Sequence, residues 1–234
     1  GAKNFKSKYI SYFLSLSVLI PILLFLVMQP DIGQSFLLII TWLCLVFVSG
    51  INIYFFSSFI ILSILTLSFL ISYVPRFFYI RDRITSFIDP ANSDNTFQAD
   101  KASEAIINGG FFGRGIGEGI LKNKVPEAHT DYIVSVISEE FGAIMIFFIL
   151  FIFLIFFFKT FKKISDLKND KIKFIIFGCS IIIFFQFLIH LGVNIRILPT
   201  TGMTLPFLSY GGSSIIGSSI LAGIILNLTK KNIH

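Results

Sequence analysis

Charge is what this sequence is short of. Only 14% of its 234 residues are Asp, Glu, Lys or Arg, against about 25% in a soluble domain, so a water-facing globular surface cannot be built from it. Cysteine is scarcer still. Cys44 and Cys179 both fall inside apolar runs, which excludes a disulfide scaffold or a cysteine-rich metal site and leaves two small buried side chains. Zinc-site spacing, a phosphate loop and a dinucleotide fingerprint are all missing. The net charge of +6 could suggest nucleic acid, but the lysines cluster by connecting segment, not by face, and no nucleic-acid partner is expected.

What is present is apolar: 55% hydrophobic residues, 30 Phe and a mean hydropathy of +0.86. The expected class is an all-α polytopic membrane protein forming one membrane domain over residues 1–234. Six runs suit spans of about 20 residues: Ile10–Met28, Ile32–Val48, Ile51–Val74, Tyr132–Phe158, Phe174–Val193 and Ser213–Leu228. The lysines before Ile10 resemble the start of a secretory leader. The length of the run and the lack of a small-residue cleavage site make a retained membrane helix the expectation instead. Pro30, Pro75, Pro126 and Pro206 fall at or near run ends, and Pro21 is expected to kink the first helix.

Orientation follows from the lysines. Lys3, Lys6 and Lys8 precede span one, Lys159, Lys162, Lys163, Lys168, Lys171 and Lys173 link spans four and five, and Lys230 and Lys231 close the chain. With six spans all three clusters share one side, which the positive-inside rule makes cytoplasmic; an odd number would split them. Segment Pro75–Thr130 is then a long extracytoplasmic loop, together with 29–31 and 194–208. Loops that long are functional or disordered, and this one keeps Ile, Phe and Gly throughout. Within it, 97–107 reads as a short amphipathic helix. GGFFGRGIGEG, Gly109–Gly119, reads as tight turns pressing backbone against the membrane surface or another loop.

The stretch KVPEAHTDYIVSVISEEFG, Lys124–Gly142, places Glu127, His129, Thr130 and Asp131 where a polar loop meets a spanning run. Two readings stand. Thr130 or Asp131 could cap the following helix, or ionisable groups at the membrane boundary could do chemistry. At 100° per residue, Asp131, Ser135, Ser138 and Gly142 form one small polar stripe. Glu139 and Glu140 lie off it and are expected to pair structurally with an arginine such as Arg76, Arg81 or Arg196. Beyond the fifth span, NIRILPTTGMTLPFLSYGGSS (Asn194–Ser214) suggests a re-entrant segment. It ends at Gly211, Gly212 and Ser213, a helix N-terminus that is a candidate anion site.

Taken together, PEAHTD (Pro126–Asp131), RDRITSFIDP (Arg81–Pro90), QPDIG (Gln29–Gly33) and LPTTGMTLPFLSYGGSS (Leu198–Ser214) resemble the SEDS family, the FtsW, RodA and SpoVE proteins of bacterial cell division, elongation and sporulation. The wording of PEAHTD and TGMTLPF is nearest its FtsW branch. The resemblance covers almost the whole chain and implies a location in the bacterial cytoplasmic (inner) membrane. It implies polymerisation of lipid II, the undecaprenyl-diphosphate-linked disaccharide peptide, into peptidoglycan glycan strands. The implied partner is a class B penicillin-binding protein. Asp131 matches the family's essential aspartate and becomes the catalytic candidate. Glu127, His129, Thr130, Arg196, Thr201, Ser209, Gly211, Gly212 and Ser213 become substrate-binding candidates. No resident metal is expected, although a divalent cation could serve the diphosphate. Two departures stand out: the family's first four helices have no counterpart here, and Thr201 stands where many relatives carry Lys. A lipid II flippase and a non-catalytic division scaffold remain as alternatives to the enzyme.

Overall fold

The computed structural model describes residues 2–89, 97–125 and 127–230. Pro126 of the PEAHTD block, Pro90 of RDRITSFIDP and Lys231 lie outside the described residues. Among the described residues there is helix and no strand. The helices are α1 (Ala2–Met28), α2 (Ile32–Val48), α3 (Ile53–Tyr73), α4 (Phe78–Ile88, entered through a 3₁₀ turn at Pro75–Phe77), α5 (Phe97–Gly109), α6 (Leu121–Lys124), α7 (Ile133–Phe141), α8 (Ala143–Asp166), α9 (Asp170–Asn194) and α10 (Gly212–Thr229).

Among the described residues, five stretches are long and apolar enough to cross a membrane: Ile10–Met28 within α1, and α3, α8, α9 and α10. This makes the chain a multi-pass membrane protein. The remaining expected span, the second, is α2, which is apolar but has 17 residues, or about 25 Å of helix. Its start is set by Asp31, whose carboxylate accepts the Gln34 N–H at 2.9 Å. Asn52 and Asn169 open α3 and α9 in the same way. Pro21 lies inside α1, which continues through it.

The expected fourth span, Tyr132–Phe158, is two helices. Gly142 adopts φ 80° and ψ 175°, a backbone region that only glycine enters at little cost. Helix α7 ends there and α8 restarts. The 109–119 segment holds the break: Ala143 N–H donates to the Gly110 carbonyl (2.9 Å) and Arg114 N–H to the Glu139 carbonyl (2.9 Å). Glu139 is nearly fully buried, takes the Leu121 N–H at 2.9 Å and faces Arg114 at 3.6 Å. The structural pairing expected of Glu139 is therefore present, with Arg114 as the arginine. Charge and sequence distance could not single it out.

Helix α9 is the hub, touching α2, α5, α7, α8 and α10. One buried cluster joins Leu37 of α2, Ala102 and Ala105 of α5, Val136 of α7 and Ile189 and Val193 of α9. The other joins α8, α9 and α10, with Phe153 stacked on Phe187 at 4.2 Å. Segment 75–130 carries α4, α5 and α6. With α7 and the 195–211 segment, these gather at one end of the bundle.

Candidate active site

The 195–211 segment is bolted to α9 by polar side chains four residues apart on one face. Gln186 Nε2 donates to the Thr204 carbonyl (3.0 Å), and His190 Nδ1 to the Met203 carbonyl (2.7 Å). The Gly192 carbonyl accepts the N–H groups of Ile197 and Leu198. Buried polar groups in an apolar span are costly unless bonded; here those bonds fold an irregular segment back into the bundle. Its backbone meets α2 at Gly33, where an added Cβ would stand 2.9 Å from the Thr201 carbonyl oxygen.

The turn carrying Asp131 rests on this platform. Glu127, at φ 63°, closes it by accepting the N–H groups of Thr130 (3.0 Å) and Asp131 (3.1 Å). Asn194 Nδ2 donates to the Asp131 carbonyl at 3.0 Å. Ser209 Oγ donates to the Thr130 carbonyl at 2.6 Å while accepting the Leu205 N–H at 2.7 Å. Tyr210 N–H donates to the His129 carbonyl. No side chain caps α7, which starts from Tyr132. The capping reading of Thr130 and Asp131 therefore does not hold; the turn is closed from within, and the Asp131 carboxyl is not spent on the helix.

Asp131 faces a cleft of about 370 Å³. Tyr79, Asp82, Arg83 and Ser86 of α4 line one side, with Gln98 of α5. Tyr132, Val193, Thr200, Gly202 and Met203 line the other. Arg83 Nη1 donates to the Thr200 carbonyl at 3.0 Å, tying α4 to the platform. Burial pushes the Asp131 carboxyl up from 3.8 to about 6. Glu127 and Asp31 add to the rise, and Arg83 opposes it. Such a carboxyl is ionised at neutral pH, yet basic enough to take a proton from a hydroxyl. The hydroxyls of Tyr79 and Thr201 are buried without a protein partner.

The sequence candidates do not all gather here. Glu127, Thr130 and Asp131 share one turn, and the Thr130 hydroxyl lies 2.9 Å from Glu127 Oε2. His129 is exposed. Ser209 is buried and braces the turn. Arg196 pairs with Asp100 at 2.6 Å and is absent from the cleft lining. Gly211, Gly212 and Ser213 open α10 outside that lining; there Ser214 Oγ accepts from the Thr204 hydroxyl at 2.6 Å. Arg83, Tyr79, Gln98 and Asn194 were not singled out from the sequence. Arg83 sits in the RDRITSFIDP block, and the signal for Asn194 was the four-residue spacing Gln186, His190, Asn194 inside an apolar run. Among the described residues, no three His, Cys, Asp or Glu side chains come together to hold a metal.

Three of the four sequence blocks thus line one cleft, and the fourth, QPDIG, meets the platform behind it where Gly33 approaches Thr201. A family model described as "Cell cycle protein", that of FtsW, RodA and SpoVE, matches residues 1–234. The chain belongs to this family. Among its relatives, a protein of Caulobacter vibrioides is 33% identical over 231 residues, covering 99% of this chain and 56% of the relative. One of Buchnera aphidicola is 39% identical over 222 residues, covering 91% and 58%. Both carry the name "Probable peptidoglycan glycosyltransferase FtsW". A chain from a solved structure, titled "Structural coordination of polymerization and crosslinking by a peptidoglycan synthase complex", superposes with a TM-score of 0.71 at 26% identity, over 93% of this chain and 60% of that one. The chain therefore spans a little over half the length of the relatives it matches.

Proposed function

We propose that the Asp131 cleft is the catalytic site of a peptidoglycan glycosyltransferase that polymerises lipid II during bacterial cell division. The observation that carries this is the pairing of a half-buried carboxyl, raised to about 6, with the Arg83 guanidinium across one polar cleft at the end of a membrane bundle. The names of the relatives point the same way.

In the reaction, the 4-hydroxyl of an acceptor sugar attacks C1 of a donor sugar, the C1–O bond to the polyprenyl diphosphate breaks, and the hydroxyl proton goes to Asp131. A positioned base contributes about 10²–10⁴-fold. Arg83 supplies positive potential to the leaving diphosphate. A divalent cation carried by that diphosphate would supply further charge neutralisation. Glu127 and Thr130 shape the turn at the cleft mouth, Thr201 and Ser209 its platform.

This reading places six crossings in the bacterial cytoplasmic membrane, with α2 as the short one. The lysine-rich ends face the cytoplasm and segment 75–130 the other side, where a lipid-linked sugar and a class B penicillin-binding protein would be met. The test is reconstitution of the chain in vesicles with lipid II. Polymer is expected with Asp131 and at least about 10²-fold less with Asp131→Asn. An amide variant that polymerises at the wild-type rate would overturn the proposal. Lipid transfer between leaflets that continues in that variant, with no polymer from either form, would point to the flippase.

A further inference from the structure

The tip of the glycine-rich segment has its polarity turned inside out. Around Arg114 the polar groups turn toward the protein, while Glu118 further along stays exposed: the N–H groups of Arg114 and Gly115 donate to the carbonyls of Glu139 and Glu140, and the Arg114 guanidinium faces Glu139. Its apolar side chains point away. Phe111 is 66% exposed, Phe112 83% and Ile116 79%, with the two rings 6.3 Å apart. A loop in water would present the opposite arrangement.

The height of this tip is set by hydrogen bonds to a spanning helix. Ala143 N–H donates to the Gly110 carbonyl at 2.9 Å and Ile144 N–H to the Phe111 carbonyl at 3.4 Å. Ala143 and Ile144 are the first residues of α8, which crosses the membrane. The rings therefore sit level with the first turn of a transmembrane helix, and the apolar surface continues onto exposed Ile144, Phe147 and Phe148. We infer that Phe111, Phe112 and Ile116 form an anchor inserted into the interfacial layer of the bilayer. Aromatic side chains are favoured at that depth, and the surface is continuous with the lipid-facing side of α8. The anchor has a consequence for the cleft. Helix α5 ends in this tip and packs on α7 and α9, so seating the tip in lipid fixes the height of the Asp131 cleft above the bilayer.

Trp42 is the chain's single tryptophan, so Trp42→Phe gives a silent background. In it, Phe112→Trp places a probe at the tip, and Phe111→Trp gives an independent reading at the neighbouring ring. Each is reconstituted in phosphatidylethanolamine–phosphatidylglycerol vesicles with lipids brominated either high on the acyl chains or near their ends. The expected result is blue-shifted emission, protection from aqueous iodide, and quenching at least about twofold stronger by the high bromines than by the deep ones. Emission from both probes that iodide quenches freely and brominated lipid does not would place the tip in water. That outcome would overturn the anchor and leave a protein partner as the cover for these rings.

Discussion

The side-chain amide of Asn194 holds both ends of the first turn below the catalytic candidate. Its Nδ2 donates to the Asp131 carbonyl at 3.0 Å, and its Oδ1 accepts from the N–H (3.2 Å) and hydroxyl (2.9 Å) of Ser135. Asn194 and Ser135 are both fully buried. Asn194→Leu keeps the branching of the side chain, with larger terminal groups, and removes every one of these bonds. Each buried group left unpaired costs about 1–3 kcal/mol, so thermal melting of the detergent-solubilised protein should fall by several degrees. Polymerisation should lose turnover rather than substrate affinity, because the carboxyl drifts while the rest of the cleft persists. An unchanged kcat with a raised KM would assign Asn194 to binding instead.

Arg83 is predicted to set the acid limb of the pH–rate profile. Its charge holds the Asp131 carboxyl below the value that burial and Glu127 would otherwise give. A base works deprotonated, so kcat/KM should rise with pH through about 6. Arg83→Gln removes the opposing charge and should move that limb to higher pH, with a raised KM if the guanidinium also meets the diphosphate. A variant whose limb stays in place would separate Arg83 from Asp131.

How much of this was readable beforehand differs from element to element. Helices α1, α3, α9 and α10 declare themselves by long apolar runs, since hydrocarbon excludes unpaired backbone and leaves helix as the only form. The break between α7 and α8 does not. Val, Ile and Phe continue on both sides of Gly142, and the reason for its φ of 80° lies in the Phe111–Gly113 backbone pressed against it from about thirty residues away in sequence. The same limit governs the charges. Arg83 and Arg196 both belong to polar blocks at the correct end of the bundle. Only the fold reveals that Asp100 takes Arg196 and that Arg83 reaches Thr200 beside the cleft. Asp131 stood out as a candidate because a motif marks it, not because a lone Asp before an apolar run is distinctive.

Replacing Asp131 should stabilise the protein while disabling it. Its carboxyl titrates near 6 when folded against an ordinary 3.8. The folded state thus binds the proton more tightly, and ionisation costs stability that is fully lost above about 6 and restored below about 4. For a sealed carboxyl the penalty would be a few kcal/mol; Asp131 opens onto its cleft, and solvent screening brings it to on the order of 1 kcal/mol. Asp131→Asn removes the penalty. Its melting temperature should exceed the wild type's by a few degrees at pH 8, with the gap closing as pH falls through 6 toward 4. A gap that widens on acidification would mean the carboxylate is stabilised in place.

Gly202 tests the surroundings of the Asp131 carboxyl, and Gly212 with Arg83 separates two accounts of where the diphosphate is received. Gly202 has φ 70°, and an added Cβ would stand 3.6 Å from Asp131 Oδ2. Gly202→Ala should therefore cost about 1–2 kcal/mol of backbone strain. It should also shift the acid limb of activity upward, because a methyl group displaces water from the carboxyl. Gly212 opens α10 with an ordinary backbone and nothing within 4 Å of an added Cβ. If Arg83 receives the leaving diphosphate, Gly212→Ala leaves KM for lipid II within about twofold, since no packing is lost. If the bare N-terminus of α10 receives it instead, that methyl stands between the phosphate and the free N–H groups. KM then rises in Gly212→Ala while Arg83→Gln stays near wild type. Measuring KM for both variants assigns the diphosphate to one end of the site or the other.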